Sequence, residues 1–133
     1  MYDTSYVSHA HGWSSGPTSA LTEFVLGLSV TSPVGKTWKL TPQFGDLTSA
    51  EGGFVTTLGK FQAAWNLTKT GYTLDFAVPE GTTGSLILPV RKAGVVPSIV
   101  LNGKEIKGSR DLKVVNGGVA LETNGGKHSI VVR

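Results

Sequence analysis

The run Phe61-Gln62-Ala63-Ala64-Trp65-Asn66-Leu67, the turn Thr68-Lys69-Thr70-Gly71 and the run Tyr72-Thr73-Leu74-Asp75-Phe76-Ala77-Val78-Pro79 decide the fold. In the first run Phe61, Ala63, Trp65 and Leu67 alternate with Lys60, Gln62, Ala64 and Asn66. In the second, Tyr72, Leu74, Phe76 and Val78 occupy every other position. A period of two puts one set of side chains on a core face and the other in solvent, so the pair reads as a β-hairpin.

Working outward, Trp38 and Leu40 alternate around Lys39, and Pro42 closes that strand. Leu86–Leu88, Ile99–Leu101, Leu112–Val115, Val119–Leu121 and Ser129–Val132 follow at short intervals. Pro79-Glu80-Gly81, Asn102-Gly103, Asn116-Gly117-Gly118 and Asn124-Gly125-Gly126 read as turns. Gly52-Gly53-Phe54 is also turn chemistry, because Asn-Gly and Gly-Gly supply the positive φ of tight turns. About eight short strands predict a mainly β protein, an antiparallel, jelly-roll-like sandwich, with a barrel as the alternative.

Only the N-terminal quarter breaks the pattern. Residues 1–16 are polar and without period. Ser14 or Ser15 suits a helix cap and Pro17 suits the first turn. Leu21, Phe24, Val25 and Leu28 keep the i, i+3, i+4, i+7 spacing of one helix face, which predicts a single helix over Pro17–Leu28. Pro33 lies beyond its end. The division predicted is 1–33 for the motif and helix, and 34–133 for the sandwich. A lone helix of this length is marginal in water, so its apolar face requires the sandwich, a second copy or a further domain.

Composition narrows the function. There is no cysteine, hence no disulfide framework, thiolate metal site or cysteine nucleophile. The net charge of +3 comes from scattered cations, and Lys104, Lys107 and Arg110 lie among turn residues. No nucleic-acid partner is expected. No apolar run is long enough for a membrane span, and no secretory leader is recognised at Met1. The glycine runs do not follow a strand and open a helix, so they are not phosphate loops, and no cofactor is expected.

Glycoside hydrolysis needs two carboxyl groups across the bond. Asp46 and Glu51 are the one close acidic couple and read as a solvated loop, so no catalytic residue is assigned. His9 and His11 share a side if the segment is extended, but two imidazoles without a third ligand make a poor zinc site, and no metal is expected. Trp13 offers a broad face for a sugar ring or an anchor for the helix. Asn66-Leu67-Thr68 is an N-glycosylation sequon on the predicted solvent face.

The segment Tyr6-Val7-Ser8-His9-Ala10-His11-Gly12-Trp13-Ser14-Ser15-Gly16-Pro17-Thr18 leads a longer resemblance. With it go Phe24–Leu28, Gly35-Lys36-Thr37-Trp38, Leu47–Phe54, Leu58–Phe61, Val78–Gly84 and Gly125-Gly126-Lys127-His128. Together they resemble the C-terminal region of fungal-type α-L-rhamnosidases of glycoside hydrolase family 78. The resemblance implies that Pro17–Leu28 is the last helix of an (α/α)6 barrel and that the sandwich follows it. It further implies inverting hydrolysis of terminal α-L-rhamnosides, with the acid and base upstream of this chain. His11 matches a rhamnose-contacting histidine and Trp13 a pocket wall. Secretion is implied, and Met1 is expected to start a truncated product, a split gene's second part or an expressed domain.

Two other readings stay open. A free-standing carbohydrate-binding module would use Trp13, Trp38 or Trp65 as a stacking platform, although the alternation predicts Trp38 and Trp65 to be buried. A small secreted interaction protein is the other, and an uncovered helix face would drive either toward self-association.

Overall fold

Gly27 sets the end of the helix. In the computed structural model, which describes residues 16–91, 95–106 and 112–133, α1 spans Gly16–Leu21 and continues as a π-helical turn over Thr22–Leu26. Gly27 then adopts φ 86° and returns its N–H to the Thr22 carbonyl at 3.0 Å. A Cβ at Gly27 would run into the Thr41 carbonyl, so glycine is required twice over, for the left-handed turn and for the close approach. The expected Pro17–Leu28 helix is thus too long. Leu28 begins strand β1 (Leu28–Val30) instead, and the predicted shared face does not exist. Leu28 is buried in the core, while Leu21 and Phe24 face solvent.

Eight further strands follow. They are β2 (Thr37–Leu40), β3 (Ser49–Thr56), β4 (Gly59–Leu67), β5 (Tyr72–Pro89), β6 (Ile99–Leu101), β7 (Lys104–Glu105), β8 (Lys113–Val115) and β9 (Gly118–Val132). The β4–β5 hairpin forms as predicted, with Trp65 opposite Leu74 and Ala63 opposite Phe76. The Asn102-Gly103 turn also forms, with φ of 50° and 80°. The expectation of a wholly antiparallel sheet fails at one place: β2 pairs with β5 in parallel, Trp38 beside Gly84.

Three predicted turns are strand instead. Gly52-Gly53-Phe54 lies inside β3, where Phe54 stacks on Phe61 at 5.1 Å. A side chain at Gly53 would meet the Phe61 carbonyl, so the glycine allows close pairing rather than a reversal. Pro79-Glu80-Gly81 and Asn124-Gly125-Gly126 lie within β5 and β9, which run through them as partners of 18 and 15 residues. Their register shifts between Val78 and Thr83, a bulge of the kind that bends a strand.

That bulge makes the sandwich. The first half of β5 and the last half of β9 lie in a layer with β3, β4, β6 and β7. Past the bulge, the same two strands lie with β1, β2 and β8. Strands that cross between layers at bulges form the corners of such folds. Trp38 of one layer meets Phe76 of the other at 5.5 Å, which places the core between them.

The corner is built from polar atoms under apolar cover. The Trp38 indole N–H donates to Thr82 Oγ1 at 3.0 Å, and the Thr82 hydroxyl donates to the Pro79 carbonyl at 2.6 Å. Thr82 is the one buried polar side chain among the described residues. Any Cβ at Gly84 would enter the Trp38 ring, and one at Gly125 would enter the Pro79 carbonyl. The remaining core follows the alternation of the sequence: Phe61, Ala63 and Trp65 with Tyr72, Leu74, Phe76, Leu86, Leu88, Ile130 and Val132.

Candidate functional site

On the outer side of the first layer, residues that alternate with this core form two rows across adjacent strands. Register places Glu51 opposite Ala64, Ala64 opposite Asp75, and Asp75 opposite Ser129. The next row runs Gly53, Gln62, Ala77, Lys127. Beyond it stands Val55 opposite Lys60. These residues line an open depression of about 860 Å³. Ala64 and Ala77 are half-buried in its floor, and Glu51, Lys60, Gln62, Asp75, Lys127 and Ser129 are exposed around them.

Asn102 and His128 border the depression. The Ser129 N–H donates to Asn102 Oδ1 at 2.8 Å, which fixes the orientation of the amide. Asn102 Nδ2 therefore donates to His128 Nδ1 at 3.1 Å, and the ring proton sits on Nε2, 2.9 Å from the Asn124 carbonyl oxygen that accepts it. The imidazole stacks on Phe76 at 5.0 Å. Both ring nitrogens are thereby committed to structure, pinning the β6–β7 turn and the β9 bulge to the core.

The predicted sites fall in three places. His11 and Trp13, with His9, lie outside the described residues. Asn66 is exposed on β4, two residues beyond Ala64 on the same outer face. Trp38 and Trp65 are both buried, as the alternation predicted, so among the described residues no tryptophan offers a stacking platform. Glu51, which sequence reasoning placed in a loop with Asp46, is on a strand and faces the same depression as Asp75. Both carboxylates are exposed on an open face rather than opposed across a cleft. No group of three or more metal-binding side chains occurs among the described residues, and no described helix is long and apolar enough to cross a membrane. The second pocket, about 450 Å³, lies by Lys69, Arg91 and Arg133 and above Tyr72, whose hydroxyl donates to the Pro89 carbonyl at 3.1 Å. Burial pushes that phenol above its ordinary titration range.

Sequence reasoning found the outward residues of β4 and β5 but not this depression. The alternation shows which side chains face out. It does not show that β3 exists, nor which residues of β3 and β9 stand beside Ala64 and Ala77.

Comparison with known proteins agrees with this architecture. Two alpha-L-rhamnosidases of known structure share the fold. That of Dictyoglumus thermophilum matches with a TM-score of 0.76 at 18% identity, over 84% of this chain and 13% of its own. That of Streptomyces avermitilis, solved with L-rhamnose, matches with a TM-score of 0.70 at 18% identity, over 85% of this chain and 10% of its own. The chain thus spans only about an eighth or a tenth of the length of these enzymes. No curated protein matches it. The expected fungal type is not supported, since the relatives shown are bacterial. The model of the bacterial alpha-L-rhamnosidase C-terminal domain matches residues 27–98, more than half of the sequence and the part that holds β1 to β5, and the chain belongs to that family.

Proposed function

We propose that this chain is the C-terminal, structural domain of an α-L-rhamnosidase-like glycoside hydrolase and that it closes and buttresses a catalytic barrel lying upstream. The observation that carries this is the family match over residues 27–98, joined to an arm that displays Leu21 and Phe24 to solvent at 61% and 67% exposure. Large apolar side chains exposed together mark a face that another surface covers. In this reading, residues 1–33 form the end of the barrel, 34–133 the sandwich, and β1 ties one to the other. His11 and Trp13 supply one edge of the rhamnoside pocket. The carboxyl pair that performs inverting hydrolysis belongs to the barrel. Glu51 and Asp75 do not substitute for it, because both stand in solvent on an open sheet, with nothing to hold a water and a glycosidic bond between them. Asn66, exposed within its sequon, is free to carry a glycan if the chain passes through a secretory route that attaches one.

Assay of the purified chain on an aryl α-L-rhamnoside tests the proposal. No turnover above background is expected. Turnover comparable to an intact rhamnosidase would overturn it. The rival reading, a binding module built on a tryptophan platform, loses Trp38 and Trp65, which are buried, and keeps only Trp13, which lies outside the described residues.

A further inference from the structure

We propose that the depression on the outer face of the first layer is a non-catalytic binding site for a neutral saccharide, separate from the pocket to which His11 and Trp13 are assigned. Its floor is the pair of half-buried methyl groups of Ala64 and Ala77. They come from neighbouring strands and adjacent rows, and they leave a small apolar platform with the polar side chains of Glu51, Gln62, Asp75, Lys127 and Ser129 around it and Val55 beyond the second row. Strand geometry sets its size. The two rows are ~7 Å apart along the strands, and successive strands are ~4.8 Å apart across them. A sugar ring needs such a surface, with apolar contact for its C–H face and hydrogen-bonding groups at its edge.

The rim selects the class of ligand. Glu51 and Asp75 stand in one row, and Lys127 and Lys60 on its other side, with Gln62 and Ser129 among them. Two carboxylates and two ammonium groups balance, so neither a strong anion nor a strong cation is favoured. A hydroxyl both donates and accepts, and acceptors facing donors across the platform suit a polyol. Among the described residues, no hydrogen bond or ion pair ties up the side chains of Glu51, Lys60, Gln62, Asp75 or Lys127. The two rows therefore keep their polar ends available. A peptide would need pockets for its side chains, and the floor offers only two methyls. The aromatic rings at its border, Phe54 and His128, are already stacked on Phe61 and Phe76, so binding is expected in the millimolar range.

Amide NMR titration of the chain with methyl α-L-rhamnoside, with a neutral β-glucoside as a second probe and inorganic phosphate as a third, tests this. Saturable shifts at Gln62, Ala64, Ala77 and Lys127 with either saccharide, and none with phosphate, are the expected result. Ala64→Ile fills the floor and should abolish them. Asp75→Ala removes one charged acceptor and should weaken binding about tenfold. Both positions face outward, and the amide spectrum itself reports whether each variant is folded. If Ala64→Ile does not fold, Asp75→Ala decides alone. Absent or non-saturating shifts, shifts unchanged in the folded variants, or a stronger response to phosphate would each overturn the proposal. None of these outcomes bears on the rhamnoside turnover assay, so failure here is distinct from failure of the structural role.

Discussion

The arm over residues 16–36 and the sandwich over residues 37–133 obey different rules. In the sandwich, alternation and burial agree: Trp38, Leu40, Phe61, Trp65, Leu74, Leu86, Leu88 and Ile130 are essentially sealed. In the arm, Leu21, Phe24, Val30 and Val34 stand 41–67% exposed. Its helix relaxes into a π turn, and Val34 holds φ 67°, which a β-branched residue rarely tolerates. The arm also sends Leu26 and Leu28 into the core, and the sandwich exposes Val55 and Val114, so the contrast lies between the exposed helical face of Leu21 and Phe24, read as half an interface, and the sealed core beneath it. The difference can be tested, because substitutions in the core should be costly in the isolated chain and substitutions on the exposed face should not.

The largest effect is expected at the corner where β5 and β9 change layers. Trp38→Ala deletes a sealed indole, its contact with Phe76 and its bond to Thr82, and should cost about 3–5 kcal/mol in chemical denaturation. Gly84→Ala should cost about 1–3 kcal/mol by driving a methyl into the indole. Combined, the two should cost clearly less than their sum, since the first removes what the second strikes. Additive losses would mean that Trp38 does not lie flat on Gly84. Thr82 shows the same corner from its polar side, because its hydroxyl is the only buried partner the indole has.

How much of this was legible depends on whether a signal is local. The alternation around Trp65 and Leu74 identified the central hairpin and forecast the burial of Trp38 and Trp65, because each residue reports its own side of a strand. The Pro79-Glu80-Gly81 and Asn124-Gly125-Gly126 runs misled for a physical reason. Glycine permits a turn and also permits the close backbone approach of a bulge, and only the partner strand decides between them. Gly125 beside the Pro79 carbonyl is that partnership. Gly53 misled in the same way. At Leu28 the helical period continued on paper through Gly27, but tertiary contact with Thr41 ended it. The candidate depression was out of reach, since it is a property of register across four strands.

Tyr72 gives the sandwich a pH limit that the arm lacks. Its phenol is raised by desolvation, so the folded chain holds the proton to higher pH than the unfolded chain does. Between the unfolded value of about 10 and the higher folded value, the unfolded state binds fewer protons, and stability falls as pH rises. The contribution is complete below that window. Urea midpoints should therefore be flat with respect to this group up to about pH 10 and decline above it. Tyr72→Phe should flatten the alkaline decline while costing about 1 kcal/mol at neutral pH for the lost bond to Pro89. An unchanged alkaline slope in the variant would show that another group sets the limit.

Val34 sharpens the contrast with the opposite sign. Its side chain is exposed and its backbone left-handed, so it contributes strain without core contact. Val34→Gly should stabilise the isolated chain by about 1 kcal/mol, read as a higher denaturation midpoint. Loss of stability would mean that the valine is held by contacts the exposed position does not suggest.

The smallest effect in the isolated chain, and the most informative, is expected at Phe24. Two-thirds of its surface is open, so Phe24→Ser should move stability by no more than about 0.5 kcal/mol. Its consequence should appear in association instead. If the arm is half an interface, concentrated wild-type chain should self-associate through Leu21 and Phe24, and the serine variant should sediment closer to a monomer. Joined to a catalytic barrel, the same change should cost more than 1 kcal/mol, because there the ring would be a buried anchor. A loss of several kcal/mol in the isolated chain would place Phe24 in the domain's own core. The arm would then be the sandwich's tenth element rather than the edge of another domain.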